Sequence, residues 1–303
     1  MLSKIKEKLK LPYITAPLLV IFVITAMQVS TRSLTSLNSE TNIFVAIGVI
    51  QLVVLALPSI VYYLLKGRKL ESPMYLVSNR APDIIFVLFS ALFFICGTLL
   101  IKFFYFVNGG SVAAITNYYS DFSGSQDGFS HLEIILSLII IPAICEEFLF
   151  RGIIFNEYRK YGTANAVIIS ALCFAMLHFS VESFFVYLFS GLLLGFCAAM
   201  TKSILPSIAI HLLSNTLSIY ASDAFLRITV VKNGAYFIGF VLVVLTGVSL
   251  LLLLSKIENM CYFYSERPQE EAIPPKSIGN ITKLFLSPTF ILLIIVFVLV
   301  TVF

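Results

Sequence analysis

A chain of 303 residues that is 59% hydrophobic and 12% charged carries about half the charge of a soluble domain, which needs roughly 25% to clothe its surface. A mean hydropathy of +0.99 excludes an ordinary water-soluble globule and makes lipid the expected solvent. The net charge of +4 comes from basic residues scattered over loops, with no basic face interleaved with aromatics, so nucleic acid is not an expected partner.

Lys4, Lys6, Lys8 and Lys10 precede the first apolar run. No small-x-small cleavage site follows that run, so it reads as a retained anchor rather than a signal peptide. Apolar runs of about 17–25 residues are the length that crosses a bilayer as helix. They recur at 12–30, 43–65, 84–106, 132–158, 164–181, 184–200, 204–221, 235–255 and 284–303. The last is short in its strictly apolar part and is interrupted by Pro288. The expected fold is therefore an all-α, polytopic transmembrane helical bundle of about eight or nine spans. The longest connections, 107–131 and 256–283, are polar, and the second carries Pro274 and Pro275. No soluble domain fits between the spans.

Basic residues set the orientation. With the N-terminus in the cytoplasm, the inside segments hold Lys66, Arg68, Lys69, Arg80, Arg159, Lys160, Lys202, Lys256, Arg267, Lys276 and Lys283 besides the four leading lysines. The outside segments and their flanks hold Arg32, Lys102, Arg227 and Lys232. This asymmetry predicts an integral, multi-pass protein of the plasma membrane with its N-terminus inside. Of the five cysteines, Cys96, Cys145, Cys173 and Cys197 lie in apolar runs, Cys261 lies outside them, and none forms a C-x-x-C pair. They read as packing residues rather than a disulfide framework.

An ionisable side chain at the bilayer centre costs about 2.5–3.5 kcal/mol on insertion scales, so the few within the spans carry most of the functional information. They cluster in the fourth, fifth and seventh. The fourth contains Pro142, the adjacent pair Glu146 and Glu147, and Arg151. Glu147 and Arg151 are four apart, which places them on one helix face as an ion pair. Glu146 then points about 100° away, toward other partners. The fifth span contains Phe174 and His178. Glu146 and His178 lie equally far from Gly162 in sequence, so each sits about 24 Å from the turn and at the same depth. The seventh span starts after Ser203 with Pro206 in its first turn, and His211 and Asn215 share one of its faces. The sixth carries Gly191 and Gly195, a spacing that lets a neighbouring helix approach closely. His131 and Glu133 read as surface residues at a water boundary.

A Glu beside a His is the equipment for deprotonating a water. A His with an Asn can donate hydrogen bonds to a developing oxyanion. Glu146, His178, His211 and Asn215 are thus the candidate catalytic residues for amide hydrolysis, with Glu147 and Arg151 supporting. No Ser or Cys sits in a recognisable nucleophile motif. One Glu and two His also make a three-ligand zinc set, Glu146, His178 and His211, although H-E-x-x-H spacing is absent. Activated water without a required cofactor is the favoured reading, and zinc the alternative.

The three blocks Glu146-Glu147-x-x-x-Arg151, Phe174-x-x-x-His178 and His211-x-x-x-Asn215 resemble the signature of the CPBP family. That family includes prenyl-protein endopeptidases that trim CAAX proteins, and bacterial Abi relatives. The resemblance covers about 132–220 and includes the connecting Gly191–Gly195 stretch. It departs at Lys202, where relatives often have a small residue. It implies an intramembrane endopeptidase in which Glu146 and His178 activate water while His211 and Asn215 hold the oxyanion. Relatives have been described both as metalloproteases and as glutamate-dependent proteases. The corresponding organisation is a catalytic core at 132–221 flanked by accessory helices at 1–131 and 222–303. The expected partners are the bilayer and a protein or peptide substrate, prenylated or membrane-embedded. Rival expectations are a non-catalytic scaffold or immunity factor, and a proton-coupled transporter.

Overall fold

Without water to satisfy backbone amides and carbonyls, a lipid-exposed chain must close its hydrogen bonds locally, and helix is the local solution. The computed structural model describes residues 15–34, 42–66, 83–109, 131–221, 234–265 and 281–302, and its elements there are all helical. The four leading lysines, Arg68, Lys69, Arg80, Arg227, Lys232, Arg267, the Pro274-Pro275 pair and Lys276 lie outside the described residues.

The helices, in chain order, are α1 (Ala16–Leu34), α2 (Ile43–Lys66), α3 (Ile84–Val107), α4 (131–161), α5 (Thr163–Leu177), α6 (Phe184–Thr201), α7 (Leu205–Tyr220), α8 (Gly234–Ser265), α9 (Ile281–Phe285) and α10 (Pro288–Val302). A helix occupies the described part of each of the nine apolar runs, although that of the run at 164–181 stops at Leu177. Among the described residues, five helices are long and apolar enough to cross a membrane: α1, α2, α3, α6 and Gly234–Cys261 of α8. Thr163–Leu177 and Pro288–Thr301 are shorter apolar helices. The molecule is a helical membrane bundle. Large apolar side chains such as Leu88, Phe240, Val243 and Leu251 face outward, as lipid contact demands.

Asn42 starts α2 by accepting the Phe44 and Val45 amides at its side chain, at 3.1 and 3.3 Å. Asp83 does the same for α3 through the Phe86 amide, at 3.1 Å. Two wide π-type stretches, Leu52–Ala56 and Ile135–Ile140, end just ahead of Pro58 and Pro142. A proline cannot donate to the carbonyl four residues back, and the widened turn lets amides reach five back instead. Leu57 bonds Leu52 and Ile141 bonds Leu136 in this way. Pro142 is thus absorbed by a π stretch.

Two apolar clusters flank the polar residues of α4, α5 and α7. One joins α1, α2, α4, α5 and α10 around Leu149, Phe150, Phe155 and Phe290. The other joins α3, α6, α7 and α8 around Phe86, Phe94, Leu194 and Leu253. The α5–α6 contact is close enough that a Cβ on Gly191 would lie 2.8 Å from the Ala171 Cα, so this glycine is required for the approach.

Candidate active site

The site begins with the order of residues on α4. Glu146 and Glu147 close the regular segment Ile141–Glu147, and a π stretch, Phe148–Ile154, follows at once. The carbonyls loosened by that stretch find side-chain donors. Ser170 bonds Phe150 O at 2.8 Å, and Asn156 bonds the carbonyls of Arg151 and Gly152 at 2.8 and 2.9 Å. This is the local support on which the two carboxylates stand.

Glu147 and Arg151 are both fully buried, and Arg151 donates to Glu147 Oε1 at 2.7 Å. Arg151 also donates to the Gly191 carbonyl at 3.0 Å and lies over the Phe174 ring, 4.6 Å from its centre. The same Glu147 oxygen bonds His211 Nδ1 at 3.0 Å. Glu147 therefore does more than pair with Arg151: it fixes the ring of His211 across the helix boundary. Helical spacing revealed the first contact and could not reveal the second, which is a contact between α4 and α7.

Glu146 meets the other edge of the His211 ring and faces the cavity. Its Oε2 lies 4.0 Å from His178 Nε2 and 4.0 Å from His211 Nε2. That oxygen is buried and makes no hydrogen bond within the protein. Equal distance from the α4–α5 turn does bring Glu146 and His178 together. His178, however, is not inside its helix. The α5 helix stops at Leu177, and Phe179 adopts a left-handed backbone with φ of 50°. The reversal places His178 on the last rung, where its Nδ1 bonds the Phe174 carbonyl at 2.9 Å. Both histidines are thus tied at Nδ1 and turn Nε2 toward Glu146.

These atoms line a cavity of about 570 Å³ that also contains Asn215, one turn beyond His211 on α7. Tyr187 of α6 stacks on His178, with ring centres 3.6 Å apart and planes 18° from parallel. Phe174 packs its ring between His178 and His211, 4.9 and 5.7 Å away. Sequence reading did not single out Tyr187. Its one signal was a phenol within an otherwise apolar helix, and nothing in spacing assigned it to His178. The cavity also takes Gln28 and Thr31 from α1, Gln51 from α2, and Thr98 and Lys102 from α3. Helices outside the motif blocks therefore form part of its wall.

Cys145 and Cys173 are buried free thiols beside this region, and neither lines the cavity. His131 is exposed, as a surface residue should be. Ser203 Oγ accepts the Leu205 amide at 3.2 Å, which secures the start of α7.

The stretch holding the site has known relatives. Residues 129–217 match the family model described as type II CAAX prenyl endopeptidase Rce1-like. A stretch of 86 residues is 38% identical to the "Putative membrane peptidase YdiL" of Bacillus subtilis (strain 168), covering 28% of this chain and 35% of that protein. The alignment spans about a third of the length of that curated relative. No solved structure matches. Fold and site define a helical membrane protein with a buried carboxylate–imidazole centre. The segment that carries the centre is similar to the type II CAAX prenyl endopeptidase Rce1-like family.

Proposed function

We propose that this protein is an intramembrane peptidase that hydrolyses a peptide bond of a membrane-associated protein or peptide. The observation that carries the reading is the convergence of Glu146 Oε2 with two imidazole Nε2 atoms, at 4.0 Å each, on one cavity. A separation of 4.0 Å is the span across which one water can donate to both Glu146 Oε2 and His178 Nε2 at about 2.8 Å each. The tie at Nδ1 makes His178 Nε2 an acceptor, so a water held in this way turns its lone pairs outward toward a carbonyl carbon.

The roles follow from donors and acceptors. Glu146 takes a proton from the water as its oxygen adds to the carbonyl. His211, held at Nδ1 by Glu147, donates from Nε2 when that nitrogen carries a proton. His211 and the Asn215 amide then bond the oxyanion. As the C–N bond breaks, the proton held by Glu146 passes to the leaving nitrogen, the second water proton stays on the added oxygen, and a carboxylic acid and an amine result.

The donor set also fits zinc in its chemistry. Glu146, His178 and His211 would hold the ion, and each histidine already has the Nδ1 partner that a metal-bound imidazole requires. When bound, zinc would supply Lewis-acid polarisation and an acidified water. The favoured reading, in which Glu146 and His178 activate the water, needs no metal.

The test compares membrane peptides accumulating with wild type and with Glu146→Gln. The variant is expected to stay folded and abundant while cleavage falls by about 10²-fold or more, and wild-type activity is expected to survive exhaustive chelation. Identical peptide profiles for both proteins would instead support the non-catalytic scaffold. Loss on chelation with recovery on zinc would move the water-activating role to the metal.

A further inference from the structure

The cavity runs in one direction, and each helix that walls it says which. On α7 the lining residues His211, Ser214, Asn215 and Ser218 form one stripe that climbs from mid-helix toward Tyr220. On α6 they begin at Ser183, just before the helix, continue through Tyr187 and Ser190, and stop at Leu194 near its middle. On α3 the stripe is Phe94, Thr98 and Lys102, in the second half of the helix. On α4 it is Leu138, Pro142 and Glu146, in the first half. Gln28 and Thr31 of α1 and Gln51 of α2 lie in the matching halves of their helices. Consecutive helices alternate in direction, so all these halves are at one end of the bundle. It is the end opposite the turn at 159–163. The α5 helix has 15 residues between that turn and His178, so the imidazole stands about 22 Å from it.

The charges divide between the same two ends. At the turn end lie Lys66, Arg159, Lys160, Lys202, Lys256 and Lys283 among the described residues. The cavity end has Arg32 and Lys102 there. Loops rich in Lys and Arg stay in the cytoplasm. The turn end is therefore the cytoplasmic one, and the polar mouth formed by Ser183, Ser214 and Ser218 with Gln28, Thr31 and Gln51 is on the other face.

We propose that the site is reached from the extracytoplasmic side, and that its substrate is a peptide segment presented on that face: the outer end of a membrane-inserted or exported chain. This rests on the peptidase reading for the word substrate, and on geometry and charge alone for the side of access. It sets aside a prenylated CAAX terminus, which is attached on the cytoplasmic face. A stretch of serine, threonine and amide side chains lining the mouth suits an extended peptide, whose backbone donors and acceptors must be satisfied as they leave water.

The experiment needs no turnover. Single cysteines are introduced in the full chain as Ser218→Cys, Ser183→Cys and Lys160→Cys, with the exposed Cys261 changed to Ser; the other four cysteines are buried. A membrane-impermeant maleimide is applied to intact cells and, separately, to inside-out vesicles. The expected result is labelling of Ser218→Cys and Ser183→Cys in intact cells, and of Lys160→Cys only in inside-out vesicles. Labelling of Lys160→Cys in intact cells, of the two mouth positions only in inside-out vesicles, or of neither mouth position in either preparation overturns the proposal. Because Glu146→Gln cleavage is read separately, failure of access and failure of the peptidase reading are distinguishable.

Discussion

Two adjacent glutamates in the same helix receive different environments because one residue step turns them about 100° apart with little change in depth. Glu147 is fully buried and bonded to both Arg151 and His211. Removing one partner of a buried ion pair costs roughly 3–5 kcal/mol, because the other charge is left uncompensated. Glu147→Gln is therefore expected to lower thermal stability and abundance by an amount in that range. The pair Glu147→Gln with Arg151→Met should recover much of the abundance. It should not recover cleavage, since His211 still lacks its carboxylate. Melting temperature and cleavage rate measured on the same preparations separate these effects, and recovery of both would mean that Glu147 acts on stability alone. The Glu147–Arg151 pairing and the common depth of Glu146 and His178 were legible in the sequence because both follow from helical repeat and rise. The bond from Glu147 to His211, and the stacking of Tyr187 on His178, depend on which faces of separate helices meet. Periodicity within one helix carries no such information.

Helix contacts in lipid depend on close backbone approach and on polar groups at the seams. A larger side chain at Gly191 must displace the Ala171 backbone, 2.8 Å from where its Cβ would lie, and also disturbs the bond from Arg151 to the Gly191 carbonyl. Gly191→Leu should destabilise the bundle by about 1–3 kcal/mol, seen as a lower melting temperature in detergent; an unchanged melting temperature would argue against so tight a seam. At the end of α3, Lys256 of α8 donates to Asp83 at 2.7 Å. This bond, aided by the Phe86 amide, holds the Asp83 carboxyl below its ordinary range despite some desolvation. A carboxylate with a lowered folded pKa stabilises the protein above its unfolded value and loses that contribution as pH falls through the folded value. Thus Asp83→Asn should flatten part of the acid-side loss of stability below about pH 4. The pair is partly exposed, so the effect at neutral pH is small, about 0–1 kcal/mol; an acid profile identical to wild type would show that the ion pair contributes nothing. The GxxxG seam was readable from spacing. The end of α5 at Leu177 was not, since the apolar run continues past His178 and only the left-handed Phe179 breaks it.

At the scale of the whole molecule, hydropathy located the long helices, but it read 256–283 as a connection, whereas α8 continues to Ser265 and the short α9 begins at Ile281. It could not say which helices surround the polar centre, and α1, α2 and α3 proved to wall a cavity whose chemistry lies on α4, α5 and α7. Those walls have a fastening at the far end. Glu157 of α4 accepts from Lys66 at 2.5 Å and from Tyr62, both on α2, and also from the Thr15 amide at the start of α1, at 3.3 Å. Lys66 and Tyr62 bond the Thr15 hydroxyl as well. Three helices are therefore knotted at one end, while toward the cavity α2 and α4 stay packed through Phe44, Ile134 and Ile139 and α1 adds Gln28 and Thr31 to the wall. The Thr15–Tyr62–Lys66–Glu157 knot thus fixes how α1, α2 and α4 meet at the end away from the mouth, so the cavity wall they share is set from outside the motif blocks.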